Sequence, residues 1–82
     1  MPLIKQIGAY EFRFGSRGER SEPPHIHIWR RGAKAKFWLV PKVKVAKAHN
    51  FAAHELNEIE RLVKENRQEF LEAWHDYFKR DR

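Results

Sequence analysis

The segment that most constrains the fold is a pair of prolines followed by alternating imidazole and apolar side chains. It covers residues 22–29 and reads EPPHIHIW. Successive side chains of a β-strand point to opposite faces, so we expect His25 and His27 on one face and Ile26 and Ile28 on the other. One strand would therefore present a polar pair to one surface and an apolar pair to the opposite surface.

The flanking segments predict a small, mostly antiparallel sheet of three to four strands. Residues 10–14 alternate aromatic with other side chains, residues 34–40 alternate again after Gly32, and residues 42–45 follow Pro41. Because proline cannot donate to a ladder, Pro41 ends the third strand and favours an edge position for the short fourth strand. The sheet is expected over about residues 4–46.

Apolar side chains then recur with helical spacing in two consecutive stripes. They are Leu56, Ile59, Leu62 and Val63, and then Phe70, Leu71, Trp74, Tyr77 and Phe78. The first helix is expected to begin near Ala52, whose methyl group cannot act as a side-chain cap. We therefore predict an α+β domain in which two C-terminal helices, over about residues 52–80, pack on one face of the sheet. A chain of 82 residues is one domain, over residues 1–82.

A two-residue turn at Arg31-Gly32 would fix which side chains share a face. In that register His25 opposes Trp38, His27 opposes Lys36, and Trp29 opposes Lys34. A turn at Gly32-Ala33 would shift the partners by two residues and leave the faces unchanged. The helices would then cover the other set, which is Ile26, Ile28, Ala35, Phe37 and Leu39.

The uncovered face would be basic and aromatic, which is typical of a surface that contacts a polyanion. Residues 1–50 hold eleven Lys and Arg against three Glu, whereas residues 51–82 hold six against eight acidic residues. Lysines neutralise phosphates and indoles stack on unpaired bases. The predicted binding residues are therefore Trp29, Lys34, Lys36 and Trp38, together with Arg17 and Arg20 in the loop that leads into the histidines.

Two other interpretations of the aromatic face stay open. In the first, the indoles are covered by each other and by lysine stems through cation–π contacts. In the second, the face is an interface with a protein partner or with a second copy in a homodimer.

The histidine pair also suits general acid–base chemistry on a phosphodiester. His25 and His27 would serve as acid and base, and Lys36 would stabilise the developing phosphorane charge. Two alternatives remain: the pair could bind a metal ion with a third histidine, or the imidazoles could hydrogen-bond the proline loop and fix its approach to the sheet. We expect neither a metal nor another cofactor, because the sequence contains no ligand-spacing motif.

Composition excludes several further classes. The chain has no cysteine, so disulfides and thiolate zinc sites are excluded. It contains no signal-peptide pattern and no apolar run of membrane length, so we expect a cytoplasmic protein without membrane contact.

The chain resembles the bacterial domain of unknown function 4160 family. The resemblance rests on residues 22–28, on residues 35–39, on Asn50-Phe51 before the helix, and on the aromatic positions of the last helix. It implies a compact α+β domain, often encoded beside another small protein in arrangements similar to toxin–antitoxin pairs. His25 and His27 are the signature residues that it carries over, with Pro23 and Pro24 positioning them.

These observations lead to three functional hypotheses. The first is a nucleic-acid-associated component of a toxin–antitoxin-like pair that binds RNA or DNA through the His/Trp/Lys face. The second is a metal-independent ribonuclease toxin that uses His25 and His27. The third is a protein-interaction module whose aromatic face binds the product of a neighbouring gene.

Overall fold

The computed structural model describes residues 3–15 and 21–79. They form five antiparallel strands, hydrogen-bonded in chain order, followed by two helices. The elements are β1 (Leu3–Ile7), β2 (Tyr10–Arg13), β3 (His25–Arg30), β4 (Ala33–Trp38), β5 (Lys44–His49), α1 (Ala53–Glu65) and α2 (Arg67–Lys79). The α+β class, the antiparallel pairing and the two C-terminal helices are confirmed, whereas the predicted number of three to four strands is wrong.

The central hairpin has the register that the sequence predicts. Arg30 pairs with Ala33 across the turn residues Arg31 and Gly32, and Gly32 has a φ of 78°. Glycine adopts this left-handed conformation without a steric penalty, and a turn with a φ of about +80° at its second central residue favours glycine there. The pairs His25–Trp38, His27–Lys36 and Trp29–Lys34 therefore form as expected.

The strand that the prediction missed is β1, at the edge of the sheet. Its sequence, LIKQI, lacks a clean alternation of apolar and polar residues, and its ladder with β2 is irregular between Leu3 and Lys5. A tight connection at Gly8 and Ala9, with a Gly8 φ of 59°, brings Ile7 opposite Tyr10. The turn and the partner strand, rather than its own pattern, give this segment its structure.

The last strand lies at the opposite edge, as predicted, but covers Lys44–His49 instead of residues 42–45. Its ladder with β4 shifts register after the Lys36–Lys47 pair, so that Phe37 pairs with Val45 and Ala46 is the extra residue. Such a bulge interrupts the period-two alternation by which a strand is predicted from sequence. It keeps Lys47 and Lys44 on the same face as their partners Lys36 and Trp38.

One core joins the covered face of the sheet to both helices. The buried strand and loop residues are Phe12, Phe14, Ile26, Ile28, Ala35, Phe37, Leu39 and Val43, and the buried helix residues are Ile59, Leu62, Val63, Phe70, Trp74 and Phe78. Each fully buried large apolar side chain contributes about 1.5–3 kcal/mol of transfer free energy. Both predicted helical stripes lie in this core or against it, since Leu56, Leu71 and Tyr77 are partly buried there.

The start of α1 is tied to the sheet by a charged pair. Ala52 occupies the N-cap position and offers no side-chain hydrogen bond, while the Glu55 carboxylate accepts one from the Ala52 backbone N–H at 2.9 Å. The same carboxylate accepts two hydrogen bonds from Arg30, at 2.8 and 2.9 Å. The Arg30 hydrogen bonds, followed by the Ala52 amide, lower the pKa of Glu55 to about 2.

Neither α1 nor α2, within the part of the chain that the structure describes, is long and apolar enough to cross a membrane.

Candidate functional site

The face of the sheet opposite the helical layer carries the polar and aromatic residues of the central strands, and we call it the open face. Cross-strand pairing arranges it in rows. One row is His27, Lys36 and Lys47, and the next is Trp29, Lys34 and His49. Neighbouring rows lie two residues apart along a strand, which is roughly 6.8 Å. The open face therefore presents lysines in both rows, on β4 and β5, beside His27 and Trp29 of β3.

A cleft of about 720 Å³ lies on this face, and we call it the open cleft. It contains four of the predicted site residues, which are His27, Trp29, Lys34 and Lys36. The other lining residues are Gly15, Glu22, Ala35, Lys47, Ala48 and His49. A cavity of this size is in the range of small-ligand sites.

Arg17 and Arg20, the two predicted loop residues, lie outside the described residues.

His25 does not reach this cleft, although it lies on the same side of β3 as His27. Its side chain is completely buried. The ring centroid lies 4.9 Å from Trp74 of α2, 5.6 Å from Trp38 and 5.2 Å from His27. The end of the open face where β3 begins is therefore covered by a side chain from α2.

The buried imidazole holds the proline segment in place. The His25 Nδ1–H donates to the Pro23 carbonyl oxygen at 2.9 Å, because a carbonyl can only accept. The Pro24 carbonyl accepts from the Leu39 backbone N–H, also at 2.9 Å. These contacts support the structural interpretation of His25. Its acid–base role stays a prediction, and the burial of the ring weighs against it.

Besides Lys47 and His49, sequence reasoning missed Glu22 as a residue of this site. Its carboxylate lies 2.5 Å from Lys36 Nζ, and the Lys36 side chain is only 15% exposed. The available signal was its place in the sequence, directly before two prolines that lead into His25. Because proline fixes φ, such a segment holds the preceding side chain in a narrow range of positions.

Both indoles of the site lie beside lysines. Lys34 Nζ is 5.7 Å from the Trp29 ring centroid, and Lys36 Nζ is 4.7 Å from that of Trp38. These distances fit cation–π contacts, so lysine does approach both indoles as the alternative interpretation predicts. Trp29 Nε1 is buried and has no hydrogen-bond partner among the described residues.

Charge on the open face is neutralised at one side and left available at the other. On the β2 side Arg13, opposite His27, pairs with Glu11 at 2.7 Å. On the β5 side Lys34 and Lys47 are exposed, and no carboxylate in the described ranges forms an ion pair with either. The accessible positive charge therefore lies along β4 and β5.

The remaining histidines are dispersed. His49 lines the cleft, whereas His54 on α1 and His75 on α2 are exposed on the helical layer. Across residues 3–15 and 21–79, no three histidines or carboxylates are grouped as metal ligands.

Comparison with known proteins adds a family and no function. No curated protein matches the chain, and no solved structure matches it. A family model described as Domain of unknown function (DUF4160) matches residues 9–75, which include β2 to β5, α1, most of α2 and the whole open cleft. The chain therefore belongs to the DUF4160 family.

Proposed function

We propose that this domain binds single-stranded RNA or DNA in the open cleft. The observation that carries the proposal is the concentration of exposed lysines and a partly exposed indole in one concave site, to whose lining neither helix contributes among the residues that the structure describes. Lysines neutralise backbone phosphates, and an indole face accepts any unpaired base. A phosphodiester chain along the β4–β5 ladder would meet a cation at each row of side chains.

The opposite side of the molecule supports this choice of ligand. The helical layer exposes five carboxylates, which are Glu58, Glu65, Glu69, Glu72 and Asp76. The same layer exposes two basic side chains, Arg61 and Lys64. Among the described residues the helical side therefore carries an excess of negative charge, which favours approach of a polyanion at the open face.

The same proposal includes the biological setting that the sequence predicts. We propose that the domain acts in the cytoplasm as one component of a toxin–antitoxin-like pair. The family resemblance supports this part, which includes a small protein partner encoded by a neighbouring gene.

A salt titration with matched charge variants tests the binding proposal. Binding of a fluorescently labelled single-stranded RNA is followed by anisotropy at several salt concentrations. The double variant Lys34→Gln/Lys47→Gln removes two cleft cations. The slope of log K against log salt, which is negative, should therefore decrease in magnitude by about 1.4. The control, Arg61→Gln/Lys64→Gln, changes the net charge equally on α1, where both side chains are exposed.

The two variants separate a specific site from general attraction. Loss of affinity and slope in the cleft variant alone supports the proposal. An equal loss in both variants would assign binding to net charge, and absence of RNA and DNA binding by the wild type at low salt would overturn the proposal outright.

A further inference from the structure

We propose that Glu22, His27 and Lys36 form a metal-independent site that cleaves single-stranded RNA by transesterification. This inference rests on the proposed function, because the same open cleft must first bind the strand. It differs from the sequence hypothesis in replacing the buried His25 by the carboxylate of Glu22.

The three residues line one cleft. Glu22 and Lys36 are in contact at 2.5 Å, and His27 is the direct cross-strand partner of Lys36. All three line the open cleft. None is fully buried, since Glu22 is 40% exposed, Lys36 is 15% exposed and His27 is half-buried. A carboxylate, an imidazole and an ammonium group are thereby accessible to one ligand.

The carboxylate is held there by a well-anchored segment. Two prolines follow Glu22, the Pro23 carbonyl accepts from the buried His25 ring, and the Pro24 carbonyl accepts from the Leu39 backbone N–H. Acid–base catalysis requires groups fixed within hydrogen-bond reach of the atoms they serve. In this proposal the proline segment positions the Glu22 carboxylate for acid–base catalysis.

These groups match the needs of RNA cleavage by its own 2′-hydroxyl. Glu22 accepts the proton of the 2′-hydroxyl, whose oxygen attacks the adjacent phosphorus and forms the O2′–P bond. The P–O5′ bond breaks, and the His27 imidazolium donates its proton to the departing 5′-oxygen. The products are a 2′,3′-cyclic phosphate and a 5′-hydroxyl, so that water and redox reagents are not consumed.

Lys36 supplies the electrostatic part of this reaction. As the RNA binds, the Lys36 ammonium group leaves the Glu22 carboxylate and contacts a non-bridging phosphate oxygen. Negative charge increases on that oxygen in the phosphorane. The exchange also releases Glu22 to accept the proton.

The test is cleavage of a labelled single-stranded RNA in the presence of EDTA. We expect products that end in a 2′,3′-cyclic phosphate, identified by mass spectrometry. A matched strand with a single 2′-deoxy residue should stay intact at that position. This substrate comparison separates transesterification from any other phosphodiester hydrolysis.

Two variants assign the roles. Glu22→Gln and His27→Gln should each lower kcat/KM by about 10²–10⁴-fold. The wild-type pH profile should be bell-shaped; Glu22→Gln should lose the acidic limb and His27→Gln the alkaline limb. His75→Gln, which removes an exposed imidazole from α2, is the control and should cleave like the wild type.

The outcomes distinguish this inference from the binding proposal. Cleavage that depends on Glu22 and His27 supports the site. If the wild type binds RNA without cleaving it, or if both variants cleave normally, the catalytic inference is overturned while the binding proposal stands. If the wild type binds neither RNA nor DNA, the binding proposal and the catalytic inference both fail.

Discussion

The two faces of the β3–β4 hairpin differ in role: one is buried in the core and stabilises the fold, and the other is accessible to a ligand. On the covered face Ile26, Ile28 and Phe37 are completely buried in the core. On the open face, one residue away along the same strands, His27 and Trp29 are only partly buried and Lys34 is exposed. Alternation along the strand assigns the first set to folding and makes the second set available to a ligand.

His25 is the exception that shows the limit of this division. It shares a side of β3 with His27, yet Trp74 from α2 covers it and its ring is completely buried. The face on which a residue lies is therefore set by its strand, whereas its exposure depends on how far a neighbouring helix reaches.

The largest expected effect is on the free energy of unfolding, which substitutions on the two faces should change by different amounts. Phe37→Ala should lower the free energy of unfolding by about 3–5 kcal/mol, because it leaves a cavity in the core. Lys34→Gln, on the opposite face of the same strand, should change it by less than about 0.5 kcal/mol. Chemical denaturation measures both, and similar losses would contradict the assignment of the faces.

The next effect compares the two histidines. His25→Ala removes a buried ring and its hydrogen bond to Pro23, so we expect a loss of about 2–3 kcal/mol. His27→Ala removes a half-buried ring and should cost less than about 1 kcal/mol. An equal cost for both variants would show that α2 does not cover His25 in solution.

A pH-dependent effect tests the charged pair that joins β3 to α1. The folded-state pKa of Glu55 is about 2, below its ordinary value of 4.5. The ionised carboxylate therefore stabilises the fold above about pH 4.5, and this contribution is lost as the pH falls towards 2. Glu55→Gln should melt at a lower temperature than the wild type at neutral pH, and the gap should close on acidification.

Thermal melting over this pH range, with Glu65→Gln as the control, provides the measurement. Glu65 is exposed and forms an ion pair with Arg61 of its own helix. A constant gap between the wild type and Glu55→Gln at every pH would show that the Arg30 pair is absent in solution.

The smallest expected effect is a gain on the helical side alone. Ala52 has the extended backbone of an N-cap, with φ −74° and ψ 159°. Ala52→Ser adds an acceptor for the first backbone amides of α1 and should stabilise the fold by about 0.5–1 kcal/mol. Ala53→Ser, one residue later, should give no such gain. RNA binding should be unchanged in both variants, since neither residue lies on the open face.

The parts of the fold that the sequence predicts are those with a strong local signal. The hairpin register follows from Gly32 and from the alternation on both of its strands, because a slip by one residue would place lysines in the core. The helical stripes identify α1 and α2 because their apolar side chains recur with helical spacing. By contrast, β1 has no clean alternation, and the bulge at Ala46 interrupts the pattern of β5.

The site was predictable only in part, because some of its features depend on contacts between distant segments. Lys34, Lys36 and Trp29 follow from strand alternation, whereas Lys47 lies on β5, where the bulge interrupts the pattern. The burial of His25 requires Trp74, which lies on another element, and the Glu22–Lys36 pair requires the proline segment to approach β4. No local pattern specifies either contact.

The interrupted ladders of β1 and β5 affect how readily two copies of the chain pair through their sheet edges. These strands form the two edges of the sheet, where unpaired backbone groups could recruit a strand from another molecule. Each edge ladder is interrupted, and β5 also presents Lys44 and Lys47. A neighbouring copy would meet an interrupted ladder at either edge and, at β5, two lysines that repel those of a second copy, so strand pairing between copies is disfavoured most at β5.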